Sequence, residues 1–213
     1  MQFEFIAGQL ALDFVNTGSN RGPDGVTDPA HERLGAYADL VAWAAAAHAL
    51  PDCAPADLVK AAAQHPKIAA RTLEDARAFR DALYRIFTAF AAGKDAPAAP
   101  AEDMERLNAL FRRANAHRTL CCNNPNTHGA PTFEWAWDAS SAELDRVIWP
   151  VVLAAAELLT SGDPQRLKEC GGDHCSWLFL DQSKNRSRRW CTMQDCGNKV
   201  KAKRHYHRQR AEA

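Results

Sequence analysis

CGGDHCSWLFLDQSKNRSRRWCTMQDCGNK, residues 170–199, decides how this chain is organised. Four of its seven cysteines, Cys170, Cys175, Cys191 and Cys196, form two symmetric pairs, C-x4-C and C-x4-C, with fifteen residues between them. Zinc takes four soft ligands in a tetrahedron, and two short loops that each donate two thiolates supply such a set. Gly171 and Gly172 let the first loop turn tightly, and Gly197 follows the second pair. Between the pairs, residues 177–180 and 188–190 read as two strands joined by a polar turn over 181–187, and a helix is expected after Cys196. Knuckle, hairpin, knuckle and helix make a treble-clef or zinc-ribbon-like layout. Four protein ligands leave no open position for water, so the expected Zn2+ is structural rather than catalytic. His174 is a substitute ligand in principle, but its place beside Cys175 would strain the loop.

Charge divides along the same line. The chain of 213 residues carries 26 Lys/Arg and 26 Asp/Glu, yet residues 166–210 hold twelve Lys/Arg against four Asp/Glu, a balance of +8. Residues 1–165 hold fourteen against twenty-one, a balance of −7. Such asymmetry marks a basic appendage that binds nucleic acid. Past Cys196, cations wind around the expected helix with Val200 and Tyr206 as the sizeable apolar residues. A helix so basic gains little from packing, and phosphates are the natural partner of its charge. The expected nucleic-acid-binding residues are Arg188, Arg189, Lys199, Lys203, Arg204 and Arg208. In this reading Lys199 and Lys203 have no acidic partner close in the sequence apart from Asp181 and Asp195 in the region. Trp177, Phe179 and Trp190 are expected to form the small core of the zinc module.

Upstream, the period is helical. Leu73, Ala76, Phe79, Leu83, Ile86, Phe87 and Phe90 make an apolar stripe within 68–92, closed by Gly93. Shorter helices are expected over 34–44 and 56–64, and around Met104–Phe111. Asp28-Pro29 reads as an N-cap with proline at the first helical position. Ser140-x-x-Glu143 reads as a capping box opening a helix over 142–160. Residues 119–122 and 132–137 predict a β-hairpin, in which Phe133, Trp135 and Trp137 alternate with Glu134 and Ala136 as on a half-buried strand. The expected fold class is therefore α+β: a mainly helical N-terminal domain (1–162) with a small β-hairpin, and a C-terminal four-cysteine module (163–213). Asp13, Asn16, Thr17, Asn20 and Arg21 crowd one short segment. Asp13, Asn16, Thr17 and Arg21 are candidate small-ligand residues, with Arg21 for an anion and Asp13 for an amine. Capping of free backbone groups is the competing role for the same residue types.

At residues 170–199 the chain resembles the CGNR zinc-finger family, bacterial proteins described as stress-induced transcription regulators. The name-giving Cys-Gly-Asn-Arg stands here as Cys196-Gly197-Asn198-Lys199, which keeps the charge but loses a bidentate fork. The opening GQLALDFVNT, residues 8–17, is similar to the start of that family's N-terminal domain, ABATE. The resemblance implies a regulator with a sensing domain and a DNA-binding finger.

Several classes are disfavoured. No run of about 18 apolar residues is present to span a bilayer. The start lacks the basic and apolar regions of a leader, so a reducing cytoplasm is the expected compartment, where clustered cysteines point to metal. No G-x-S-x-G, H-E-x-x-H, P-loop or dinucleotide fingerprint suggests an enzyme. The expected partners are DNA and an unknown small ligand, with a homodimer expected because one finger makes few phosphate contacts. A zinc module for RNA or a protein partner is the alternative, and an enzyme with its site in the N-terminal domain a further one.

Overall fold

The computed structural model describes residues 3–50, 54–93, 98–123, 131–138, 143–161 and 163–211, with the side chains of Asn123, Arg204, His205, His207, Arg208 and Ala211 outside that description. Seven α-helices and four short strands are found among these residues. They are α1 (Leu10–Val15), α2 (Tyr37–Ala46), α3 (Pro55–Gln64), α4 (Pro66–Ala92), α5 (Ala101–Ala116), α6 (Trp149–Ser161) and α7 (Asn198–Ala211), with β1 (Arg118–Asn123), β2 (Thr132–Trp137), β3 (Leu167–Glu169) and β4 (Leu178–Leu180). The chain is mostly helical with small antiparallel hairpins and a C-terminal cysteine cluster.

α4 is the central element because its stripe has somewhere to go on every side. Pro66 occupies its first turn, and Gly93, at φ +74°, ends it in a conformation that costs a residue with a Cβ more. Leu73, Ala76, Phe79, Leu83, Ile86 and Phe87 are buried, and α1, α2, α3, α5 and α6 pack around them. Each of the larger side chains contributes about 1.5–3 kcal/mol by leaving water. Phe14 of α1 stacks between Trp43 of α2, at 5.1 Å, and Phe79 of α4, at 6.3 Å. This places α1 at the middle of the core, with Ala11, Leu12, Phe14 and Val15 fully buried.

Three expectations change. Asp28 does cap, accepting from the Ala30 amide at 2.9 Å, but the turn it opens is a 3-10 turn (Pro29–His31), and α2 begins only at Tyr37. The helix expected over 142–160 opens instead as a 3-10 turn, Leu144–Ile148, before α6; Ser140 lies outside the described residues. β1 and β2 pair in the register Leu120↔Trp135 and Cys122↔Phe133, so those four side chains share one face. That face is not half-buried: Leu120, Phe133 and Trp135 are 59–65% exposed. Only Trp137, at the base, reaches the core, 5.5 Å from Trp149. The alternation reported the strand correctly but carried no information about what covers it.

The core does not stop at residue 162. Leu167, Trp177, Leu178 and Phe179 belong to the same buried cluster as Leu12, Phe14 and Leu83. The expectation that the cysteine module has a separate core is thereby corrected.

Candidate metal centre

The first cysteine pair sits in the turn of a hairpin. β3 and β4 are antiparallel, Leu167 opposite Leu180 and Glu169 opposite Leu178. Cys170 continues that ladder, donating its amide to the Trp177 carbonyl at 2.8 Å. The strand expected at 188–190 is absent; β4 takes β3 as its partner, and 188–190 runs alongside, with the Arg189 carbonyl accepting from Gly171 at 2.9 Å. His174 and Ser176, on either side of Cys175, both adopt positive φ (60° and 52°), which turns the loop back toward Cys170. The second pair is closed by a π-helical turn, Met193–Gly197, whose first amide needs are met by Thr192 accepting from Asp195 at 3.2 Å. α7 leaves directly from Cys196-Gly197.

The four sulfur atoms lie within 4.8 Å of one another. Cys175 and Cys191 are 3.7 Å apart and Cys191 and Cys196 3.6 Å, too far for disulfides. A tetrahedron with zinc–sulfur bonds of about 2.3 Å has an edge of about 3.8 Å, so the spacing is that of a zinc cage. The Cys191 amide donates to the Cys170 sulfur at 3.2 Å, the kind of donor that favours a thiolate. Hydrogen bonds from Cys175 and Cys191 hold the Cys170 thiol far below its ordinary range, while the bond to Cys170 pushes Cys191 up to about 12. Without a cation the four thiols thus share few charges, and a bound Zn2+ supplies the positive charge that lets all four ionise. The backbone also makes room: a Cβ on Gly172 would lie 3.0 Å from the Cys196 sulfur and 3.5 Å from that of Cys170. His174 points away, its Nδ1 3.2 Å from the Asn20 side-chain oxygen.

A buried carboxylate organises the loop between the pairs. Asp181 is fully buried and accepts from Lys168 at 2.6 Å, from the Ser183 hydroxyl at 2.6 Å and amide at 3.0 Å, and from the Arg188 amide at 2.9 Å. Burial pushes its carboxyl up, and these donors, led by the Lys168 ammonium, override that and hold it well below the usual carboxylate range. The sequence offered only Asp181-x-Ser183, an Asx-turn pattern, as a signal.

Among the expected nucleic-acid residues, Arg188 has a different place. Its guanidinium donates to the carbonyls of Trp190, Ile6 and Cys191 and lies 4.2 Å over the Phe179 ring. Arg189 is exposed. Lys199 pairs with Asp195 at 2.7 Å, and Lys203 with Asp173, so neither lacks an acidic neighbour as expected. The Asp173 pairing was hidden because 30 residues of folded loop separate the partners. Both lysines remain more than 60% exposed, where such pairs contribute little. Lys201 is exposed as well, and the side chains of Arg204 and Arg208 lie outside the described residues.

The N-terminal polar cluster docks the finger. Asn16 donates to the Leu178 carbonyl at 2.8 Å and accepts from the Leu178 amide at 2.9 Å, a two-point clasp on β4. Asp13 accepts from Ala7 at 3.0 Å, and the Ala7 carbonyl in turn accepts from Leu180 at 2.9 Å. Burial raises the Asp13 carboxyl to about 6. Thr17 donates to Phe14 at 2.7 Å. Arg21, whose side chain is fully buried, donates to Val15 at 2.6 Å and Gly18 at 3.1 Å, and lies 4.5 Å over Tyr84 and 3.8 Å from Asp81. Its neighbour Arg80, 1% exposed, makes a bidentate pair with Glu32 at 2.7 Å. Most polar atoms that were candidates for a ligand are thus committed to backbone and to one another, as in the competing capping role, while Arg21 Nε is buried without a hydrogen bond. No sequence periodicity announces Glu32 and Arg80, which lie 48 residues apart.

Among curated proteins none matches the chain. Two family models do. One, ABATE, described as "Putative stress-induced transcription regulator", matches residues 8–162, and the CGNR zinc finger matches 166–209. The second span contains all four clustered cysteines, and the first covers more than half of the chain. The chain therefore belongs to the ABATE family and carries a CGNR zinc finger at residues 166–209.

Proposed function

We propose that this protein regulates transcription by binding DNA through its zinc finger and α7, under the control of a small ligand held by the helical part. In this reading Cys170, Cys175, Cys191 and Cys196 ligate one structural Zn2+, residues 163–213 form the DNA-contacting portion, and residues 1–162 the sensing portion. The carrying observation is α7 itself. It leaves directly from the cysteine cluster, and Lys199, Lys201, Lys203 and Arg210 are all exposed along it. Arg189 adds an exposed cation beside the cluster. Phosphates would displace Asp195 and Asp173 from the lysines at small cost, because both pairs are solvent-screened.

With about five phosphates neutralised, log affinity falls against log salt with a slope near −4 to −5 on duplex DNA. Replacing Lys203 and Arg204 together by alanine lowers that slope by about two and weakens binding to all sequences alike. The test is a salt titration of zinc-verified wild type and double variant. Absence of binding at low salt would transfer α7 to an RNA or protein partner. Pairing of two chains is the proposed means of multiplying the contacts of a single finger, and light scattering with and without DNA tests it. The proposed site of action is the reducing cytoplasm, where free thiolates persist. Among the described residues no helix is long and apolar enough to cross a membrane.

A further inference from the structure

A groove of about 900 Å³ runs between α3 and the start of α4 on one side and α5 and the 3-10 turn Leu144–Ile148 on the other. Its floor is apolar: Leu144 and Ile148 are buried, Leu110 half-buried, and Ile68 of α4 stands 56% exposed above them. An isoleucine left in solvent over an apolar floor is a surface that gains by being covered. Four cations stand at the rim, and they differ. Arg113 is neutralised by Glu143 at 2.9 Å and Asp145 at 2.7 Å, and Arg71 leans toward Asp75 at 3.9 Å. Lys67 and Arg106 have no carboxylate within ion-pair distance among the described residues. The volume lies in the range of small-molecule sites, where an apolar lining with a few convergent polar groups is the usual composition.

We infer that this groove binds an apolar-bodied monocarboxylate, its hydrocarbon over Ile68 and Leu110 and its carboxylate between Lys67 and Arg106. The charge balance decides the class. The lining carries Lys67, Arg71, Arg106 and Arg113 against Asp75, Glu143 and Asp145, an excess of one positive charge that a single carboxylate balances, whereas a neutral ligand would leave it unmatched and a cation would be repelled. The groove is separate from Asp13, Asn16, Thr17 and Arg21, none of which lines it. Binding here does not depend on the finger, but its regulatory meaning rests on the sensing half of the proposed function.

The test is calorimetric titration of the zinc-loaded full chain with decanoate and with 2-naphthoate, each against its uncharged primary amide. At least one carboxylate is expected to saturate at one site per chain, with its amide about tenfold weaker, the difference two exposed charge pairs can make. Saturation by decanoate alone identifies an aliphatic acid and by 2-naphthoate alone an aromatic one. Ile68→Asp removes binding of both, and Lys67→Glu with Arg106→Glu reduces the carboxylate to below the affinity of its amide. All three positions are exposed, so these variants keep the fold, which a thermal melt verifies. Neither acid saturating by about 1 mM, or saturation unchanged in both variants, overturns the inference. Binding that leaves DNA affinity unmoved upholds the groove and removes the sensing reading instead.

Discussion

Gly172 is the residue on which the metal cage is most tightly built. A methyl group there would meet Cys196 Cβ and Sγ at 3.0 Å, closer than van der Waals contact, and neither atom can retreat without opening the tetrahedron. Gly172→Ala is expected to leave the helical core folded while weakening zinc binding by about 10–100-fold, the effect of about 1–3 kcal/mol of overpacking. Competition with a chromophoric chelator measures it, and unchanged affinity would mean the loop has slack. Asp13 offers a second test, through pH. Its carboxyl is raised by burial, to about 6, so the folded protein binds a proton more readily than the unfolded chain. The stability tied to that proton is fully present below about pH 4 and is lost as pH rises through about 6. Asp13→Asn keeps an oxygen for the Ala7 amide and cannot ionise. It is therefore expected to stabilise the protein by about 1–3 kcal/mol at pH 7–8, with the difference vanishing near pH 4. Denaturant midpoints across pH 4–8 measure this, and a difference independent of pH would show that folding leaves the Asp13 carboxyl at its ordinary value.

At the level of elements, what could be read was what local periodicity encodes. The α4 stripe and its glycine stop were written within one local stretch, residues 68–93. The zinc ligands were legible for a similar reason, since paired spacing in sequence forces proximity in space. Partners chosen across the chain were not legible. β4 pairs with β3, a strand of three residues too short to show a period, and the expected partner at 188–190 is held instead by the side chain of Arg188. The segment containing Asn16 reads equally as pocket or cap until β4 is in place beside it. That segment carries the prediction for this scale. Asn16→Ala strips the Leu178 amide and carbonyl, at a buried interface, of their only side-chain partner among the described residues. Each orphaned group costs about 1–3 kcal/mol, so a loss of about 2–4 kcal/mol is expected, together with faster zinc release. Urea unfolding and stopped-flow chelation report the two effects. A change in stability without a change in zinc release would confine α1's role to the core.

For the whole molecule, the question is whether metal holds one module or the entire fold. Composition suggested separable parts, with a helical body that survives loss of the finger. The arrangement of contacts argues otherwise. Phe179 and Leu178 are fully buried in the cluster that contains Leu12 and Phe14, and α1, which carries those two, packs on α4 and α6 with Phe14 against Trp43 of α2. Asn20, Arg21 and Asn16 contact residues 174–178 directly, so the first metal-bearing loop and the centre of the helical part share a boundary with no linker between them. If zinc leaves, the loops carrying Trp177 and Leu178 lose their cross-link, and α1 is left with an uncovered apolar face and unpaired polar groups. Structural zinc in isolated fingers supplies about 10–16 kcal/mol. Even a third of that, transmitted through a shared core, lowers the melting midpoint of a chain this size by about 10 °C or more. Cys191→Ser, or treatment with a strong chelator, is therefore expected to shift a single transition downward, with helical ellipticity and tryptophan fluorescence moving together. Proteolysis of the variant should then consume the chain throughout. Survival of a folded fragment ending near residue 165, with its own melting midpoint unchanged, would show that the helical part stands without the finger and that the contacts of Asn16 and Arg21 only orient it.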